Sequence, residues 1–219
     1  LALIRRTLRA ERSADMPRIR VDIKEGIDYV WRHPVLRTII AYWSVMTMAT
    51  AALIPALGYY ITIDRHFGPE LFGFVGSAWS VGYLLGSLLS GRLGGETVGL
   101  RMLAGGVVIG AGLVAIAVTA SPPAYLAAGF CVGAAVAVQT VSYMTIRPTL
   151  TPDELLGRVG STARTITAGL RPLGQFGGGA LIDAASGGLA LIGMGGLAIA
   201  ASILFGLSQT LRDAGRRAR

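Results

Sequence analysis

Charged residues and cysteine are both scarce in this sequence, and each scarcity excludes a class of protein. Only 15% of the residues are Asp, Glu, Lys or Arg, whereas soluble domains carry about 25%. The single cysteine, Cys131, lies inside an apolar run, which excludes a disulfide framework and a cysteine-rich metal cluster. An ordinary soluble domain is disfavoured, and no metal is expected.

Sequence signs of enzyme chemistry are also missing. The two histidines, His33 and His66, flank a long apolar segment, so we expect them on opposite sides of a membrane. No glycine-rich loop ends in Lys-Ser or Lys-Thr, which argues against nucleotide hydrolysis. A nucleophile and a base at one depth are lacking as well. The sequence therefore predicts a protein that is not an enzyme and needs no cofactor.

The positive charge does not indicate nucleic acid as a partner. The formal net charge is +8, but the basic residues form no stripe with interleaved aromatic residues, as a nucleic-acid surface would require. They lie between long apolar segments instead. We expect no nucleic-acid binding.

Long apolar runs and glycine are what the sequence has in abundance. Hydrophobic residues make up 53% of the chain, and 31 residues are Gly. A helix that crosses the membrane needs about 20 predominantly apolar residues. Six segments satisfy this requirement: 36–62, 71–91, 102–120, 124–146, 160–184 and 188–208. The fold class predicted is all-α, an integral membrane bundle of six transmembrane helices with the lipid bilayer as its first partner.

Glycine pairs four residues apart predict how these helices pack. Such pairs let two helix backbones approach closely in a membrane. They are Gly82 and Gly86, Gly106 and Gly110, Gly129 and Gly133, and Gly174 and Gly178.

The distribution of Arg and Lys predicts the orientation. Of the 20 basic residues, 17 fall in the segments on one side of the predicted spans, and Arg65 alone falls on the other side. Positive charge is retained in the cytoplasm. We therefore predict a multi-pass protein of the inner (plasma) membrane with both termini in the cytoplasm.

The chain divides into three parts. Residues 1–35 are predicted to be a cytoplasmic linker with an amphipathic surface helix, in which Ile23, Ile27, Val30 and Trp31 share one face. This helix could lie on the membrane surface or pack beneath the bundle. Residues 36–208 form the bundle and 209–219 a basic cytoplasmic tail. Because the sequence opens with an apolar run and two arginines rather than Met, we expect an earlier helix to precede it.

Two prolines and one arginine stand out inside the predicted spans. Pro55 and Pro172 each interrupt the helical hydrogen-bond ladder and predict kinks. Arg171 falls at the midpoint of the fifth span, where a charge costs at least about 2.5–3.5 kcal/mol on insertion scales. Its partner could be an anionic substrate, a carboxylate in another part of the protein, or the carbonyls freed by Pro172.

Other polar residues accompany Arg171 as candidates for substrate binding. Gln175 lies one turn away on the same face, Gln139 and Tyr143 lie on the fourth span, and Trp43 lies on the first. Polar stripes on facing helices can build a water-accessible site. Hydrogen bonding between helices, worth about 0.6 kcal/mol on average, is the structural alternative for each of them.

Three local motifs resemble a known family. They are residues 25–37 (EGIDYVWRHPVLR), residues 152–159 (PDELLGRV), and Pro172-Leu173-Gly174 followed by Gly177 and Gly178. The chain resembles exporters of the major facilitator superfamily, in the drug:proton antiporter branch that includes enterobactin-exporter-like and macrolide-efflux-like proteins. The resemblance extends over residues 17–208. It implies that the six spans are helices seven to twelve, so a missing N-terminal six-helix half would be a partner.

One family motif matches only in part. The family carries a Gly-x-x-x-Asp-Arg-like loop between helices eight and nine that latches the two halves. Here residues 91–101 read GRLGGETVGLR, in which the Asp is absent unless Glu96 replaces it.

The resemblance implies a secondary active transporter that moves a small organic molecule, such as a drug or siderophore, outward by proton-coupled efflux. Arg171, Gln175, Gln139, Tyr143 and Trp43 would contact this small-molecule substrate. The alternative is a free-standing six-helix scaffold or assembly protein without transport activity.

Overall fold

The computed structural model describes residues 19–92 and 97–212, and within these ranges the chain is helical and contains no strand. The predicted all-α membrane bundle is confirmed. Part of the predicted linker (1–18), the loop residues 93–96 with Glu96, and the end of the basic tail (213–219) lie outside the described residues.

The helices follow one another with short connections. In chain order they are α1 (Ile19–Arg32), α2 (Pro34–Ala49), α3 (Leu53–Tyr59), α4 (Pro69–Arg92), α5 (Val98–Val118), α6 (Pro122–Thr149), α7 (Leu156–Ala184), α8 (Gly187–Gly206) and α9 (Gln209–Arg212). A π-helical turn, Tyr60–Asp64, extends α3, and a 3₁₀ turn, Asp153–Leu155, precedes α7. We call the end of the bundle with α1 and the α6–α7 connection the basic end, and the other end the opposite end.

Five segments are long and apolar enough to cross a membrane by length and composition: the stretch Pro34–Asp64 and the helices α4, α5, α6 and α8. The sixth predicted span, α7, has 29 residues, which makes it about 43 Å long. Its mean hydropathy is lowered by Arg164, Arg171 and Gln175. It is therefore long enough to cross a membrane but less apolar than the other five segments.

Glycine contacts between helices confirm the packing predicted from the glycine pairs. A Cβ at Gly82 or Gly86 would meet the α6 backbone at Phe130 or Ala134, and Gly133 lies equally close to the Trp79 carbonyl of α4. The other predicted pairs pack α5 against α8, where Gly110 meets Gly195, and α7 against α2 and α3, where Gly174 meets Met48 and Gly178 meets Ala52. The helices approach this closely because these positions lack side chains.

The prolines occupy two different settings. A turn at residues 50–52 separates α2 from α3, and Pro55 follows in the first turn of α3, where its missing N–H removes little helical bonding. Pro172 lies inside α7, which continues past it. A kink at Pro172 stays a prediction.

Helix α1 packs on α7 at the basic end. Gly26 approaches the Arg158 carbonyl and Thr162, and Val30 is buried. The Tyr29 hydroxyl donates to the Leu150 carbonyl (2.8 Å), and Glu25 forms an ion pair with Arg158.

The face predicted to be apolar is divided between two surroundings. Val30 faces the bundle, whereas Ile27 (45% exposed) and Trp31 (67% exposed) face away from it. The side chain of Ile23 is outside the described set. One side of α1 therefore packs beneath the bundle. Contact of Ile27 and Trp31 with the membrane surface stays a prediction.

At the opposite end, Arg65 ties the π-helical turn after α3 to the end of α5. Its Nε donates to the Tyr60 hydroxyl (2.7 Å) and its Nη2 donates to the Thr119 carbonyl (2.8 Å). The Tyr60 hydroxyl in turn donates to the Ala117 carbonyl (2.8 Å). The hydrogen bond to Tyr60 raises the pKa of Arg65, so the basic residue at this end is a fixed positive charge in a structural role.

Candidate transport groove

The bundle contains a cavity of about 850 Å³ between α3, α4, α5 and α6. It lies toward the opposite end, because α4 contributes residues from its first half and α3 follows the turn in the first span. A smaller cavity of about 250 Å³ adjoins it between α2 and α6. The two share Thr50, Ala51, Ile109, Val136 and Arg171. We call the pair of cavities the groove.

Apolar side chains dominate the larger cavity. They come from four helices and are Leu53, Ile54, Leu57, Phe72, Val75, Trp79, Val81, Ile109, Leu113, Ile116, Val132 and Val136. Thr50, Ser77 and Ser80 supply hydroxyl groups. Among the described residues that line either cavity, Arg171 is the one charged residue.

Arg171 lies one residue from the midpoint of α7 and lines both cavities. Its side chain is exposed in the bundle. Within the part of the chain that the structure describes, Arg171 makes no hydrogen bond or ion pair. The carbonyls near Pro172 therefore do not pair with it, which removes one of the three partners considered from the sequence.

Gln139 belongs to a buried hydrogen-bond network. Its Nε2 donates to the Tyr42 hydroxyl (3.0 Å) and to the Met102 carbonyl (2.9 Å). The Tyr42 hydroxyl also contacts Ser202 Oγ (3.1 Å), so the network joins α2, α5, α6 and α8. Gln139 lines the smaller cavity, but its amide donor is committed to holding the helices together.

Trp43 and Tyr143 form a stacked pair between α2 and α6. Their ring centroids are 4.5 Å apart and the ring planes differ by 4°. The Arg147 guanidinium lies over the Tyr143 ring, 5.4 Å from the ring centroid. This distance is within the range of a cation–π interaction. Trp43 also lines the smaller cavity, so this pair bounds the groove on its basic-end side.

The five predicted substrate-binding residues are thus not equivalent. Arg171, Trp43 and Gln139 meet at the smaller cavity. Tyr143 is buried behind Trp43, and Gln175 is exposed and lines neither of the two cavities. A role in substrate binding stays a prediction for all five.

Most of the groove was not predicted from the sequence. Phe72, Trp79 and the small residues Gly73 and Gly76 of α4 line the larger cavity. In a membrane helix, apolar residues face lipid, neighbouring helices or a cavity with equal ease, so composition alone does not distinguish them. One feature of the sequence could have indicated the cavity, namely the clustering of small residues on one part of α4: Gly73, Gly76, Ser77 and Ser80.

Long apolar helices around a groove that contains one arginine define a multi-pass membrane protein. The model of the Major Facilitator Superfamily matches residues 31–218. The chain belongs to this superfamily, whose members are membrane transporters rather than enzymes. No curated protein and no solved structure matches significantly. The membership favours transport over the scaffold alternative.

Proposed function

We propose that this protein is a secondary active exporter that carries a small organic molecule through the groove, driven by the proton gradient. The observation that carries the proposal is the apolar cavity of about 850 Å³ with Arg171 in its lining. Ligand pockets are apolar concavities of this size, with a few polar groups that fix orientation. The drug:proton antiporter branch is the branch that the sequence motifs favour.

A second six-helix unit would complete the transport path. Facilitators consist of two six-helix halves with the binding site at the midplane between them, and the described bundle has the size of one half. Exposed apolar residues support a large contact face: Phe176 is 80% exposed and Leu173 is 61% exposed, both on α7 beside Arg171. In this proposal the described helices are the C-terminal half, and α7 faces the other unit.

Proton coupling would involve that second unit. In the helices that follow α1, the described acidic residues, such as Glu70 and Asp183, lie at or near the helix ends. None lines the two cavities. A carboxylate that carries protons has to reach the midplane, so we assign it to the partner half. The positive-inside rule puts the basic end in the cytoplasm, and alternating access would then carry substrate from there outward.

The experiment narrows the cavity without disturbing the packing. Gly76 lines the cavity, and a Cβ added there meets no atom within 4 Å. Gly91 on the same helix has equal room and lines neither cavity. We expect Gly76→Leu to abolish transport and Gly91→Leu to retain it.

Transport is measured in everted membrane vesicles with a fluorescent reporter of the pH gradient. A panel of organic anions, neutral compounds and cations is added to vesicles with and without the full-length protein. An exchanged substrate collapses the gradient only in vesicles that contain the protein. If no compound does so, or if both glycine variants behave alike, the proposal is wrong.

A further inference from the structure

We propose that the substrate is an amphipathic organic anion, whose charged group binds Arg171 and whose apolar body fills the larger cavity. The inference rests on the proposed function only in that it takes the ligand to be a transported substrate. The charge and the shape of the ligand are inferred from the residues that line the groove.

The charge of the ligand follows from the lining. Arg171 lines both cavities, and among the described residues it has no partner and no Asp or Glu lines the groove. A charge in apolar surroundings interacts strongly because screening is weak there. A cationic ligand would be repelled by Arg171, and a neutral one would leave the guanidinium unmatched. An anionic group supplies the missing acceptor.

The hydroxyl groups of the larger cavity do not offer an alternative site for an anion. Thr50 donates to the Met46 carbonyl (2.9 Å), Ser77 to the Gly73 carbonyl (3.0 Å) and Ser80 to the Gly76 carbonyl (2.8 Å). With their protons used inside their own helices, these hydroxyls present only acceptors to the cavity. The five N–H donors of Arg171 are thus the charged donors that an anion finds there, beside the single indole N–H of Trp79.

The shape of the ligand follows from the rest of the cavity. Phe72, Trp79 and Leu113 are typical of its walls, and such walls reward apolar surface. Each buried CH₂ strengthens binding by about fourfold. A small inorganic anion would leave this surface empty, so the fitting ligand has one anionic group on a bulky apolar body.

Three compounds with one apolar cage test the charge directly. They are adamantane-1-carboxylate, 1-adamantanemethanol and 1-adamantylmethylammonium, titrated calorimetrically into the full-length protein in phosphatidylcholine nanodiscs. A charge-assisted hydrogen bond is about twice as strong as a neutral one. We expect the carboxylate to bind at least about tenfold more tightly than the alcohol, and the ammonium to bind most weakly.

Variants of one helix assign the preference to Arg171. Arg171→Gln is expected to bring the carboxylate and the alcohol to equal affinity, and Arg171→Lys to retain part of the difference because the charge remains. Arg164 is an exposed arginine two turns earlier on α7 and lines neither cavity, so Arg164→Gln should bind like the unaltered protein. Monodispersity and thermal unfolding of each variant confirm its folding.

Equal affinity for carboxylate and alcohol in the unaltered protein, including no binding of either, overturns the inference. That result would also be obtained if a carboxylate of the other unit already neutralised Arg171. Competition by phosphatidylglycerol nanodiscs would keep the anion class and identify a lipid as its source. A preference for the carboxylate without gradient-driven transport would support the ligand class and refute the proposed function. Gradient-driven transport without that preference would support the proposed function and refute the ligand class.

Discussion

Two glutamines that look alike in the sequence have different surroundings in the structure. Gln139 is 3% exposed and its amide donates to Tyr42 and Met102. Gln175 is exposed and has no hydrogen bond within the described part of the chain. At the residue scale, Gln139 joins helices, whereas a role for Gln175 in contacting solutes stays a prediction.

Replacing each glutamine with Leu separates these roles. Gln139→Leu removes two hydrogen bonds between helices and should lower the free energy of unfolding by about 1 kcal/mol, within the range found for membrane proteins. Gln175→Leu should change it by less than about 0.5 kcal/mol. Reversible unfolding in mixed micelles measures both. Equal losses of unfolding free energy in the two variants would show that the hydrogen bonds of Gln139 do not stabilise the protein.

The stack of Trp43 on Tyr143 is expected to couple α2 to α6. Parallel aromatic pairs contribute about 0.5–1.5 kcal/mol beyond their buried area. A double-mutant cycle with Trp43→Leu and Tyr143→Leu should give a coupling energy of about 1 kcal/mol. A value near zero would mean that the two rings act independently, and Trp43 would then be free to stack on a substrate instead.

At the scale of the helix, close glycine contacts decide which pairs pack. The contact of α4 with α6 depends on Gly82, Gly86 and Gly133, because each lies against a backbone carbonyl rather than a flexible side chain. A side chain at any of these positions has to separate the two helices. On α4 this stripe also determines which face remains for the cavity.

The glycine stripe can be tested on one helix. Gly86→Leu would place a side chain against the Ala134 backbone and should destabilise the protein by about 3 kcal/mol or more, at the upper end of overpacking effects. Gly91→Leu, where a Cβ meets open space, should leave stability unchanged or slightly raised, since Gly is a poor helix former. Thermal unfolding measures the difference. Two equally stable variants would contradict the close packing.

The docking of α1 on α7 is a second contact between elements. Gly26 lies against the Arg158 carbonyl and Thr162, so Gly26→Leu should release α1 from the bundle while the membrane helices remain folded. Increased proteolysis between α1 and α2, with unchanged thermal unfolding of the rest, is the expected result. A variant that resists proteolysis like the original protein would show that α1 is held by other contacts.

For the whole molecule, the distribution of charge predicts which end faces the cytoplasm. Glu154 at the basic end and Glu70 at the opposite end are both exposed, and Cys131 is the one cysteine of the sequence. In a Cys131→Ser background, Glu70→Cys should react with a membrane-impermeant maleimide on intact cells. Glu154→Cys should react only after the cells are permeabilised. The reverse pattern would invert the proposed direction of transport.

Several features could be predicted because they depend on local pattern. The apolar runs predict the spans within a few residues, and the spacing of Gly82 and Gly86 predicts a packing face, since helical periodicity connects sequence to surface directly. Arg171 could be singled out because its depth follows from counting residues. The Trp43–Tyr143 stack and the bond from Gln139 to Tyr42 could not, because the partners are 97 to 100 residues apart and no local rule relates them.

The sequence by itself determined that this chain is a helical membrane bundle, because hydrocarbon admits little besides apolar helices. The facilitator family was implied by the resemblance of three local motifs. The sequence also determined the positions of Arg171 and the glycine stripes. Only the tertiary structure decided that α3, α4, α5 and α6 line a cavity, that Arg171 also lines it, and that Gln139 turns into the core. Those outcomes depend on the rotation of each helix about its own axis. In a membrane, that rotation is set by contacts with other helices rather than by hydrophobicity.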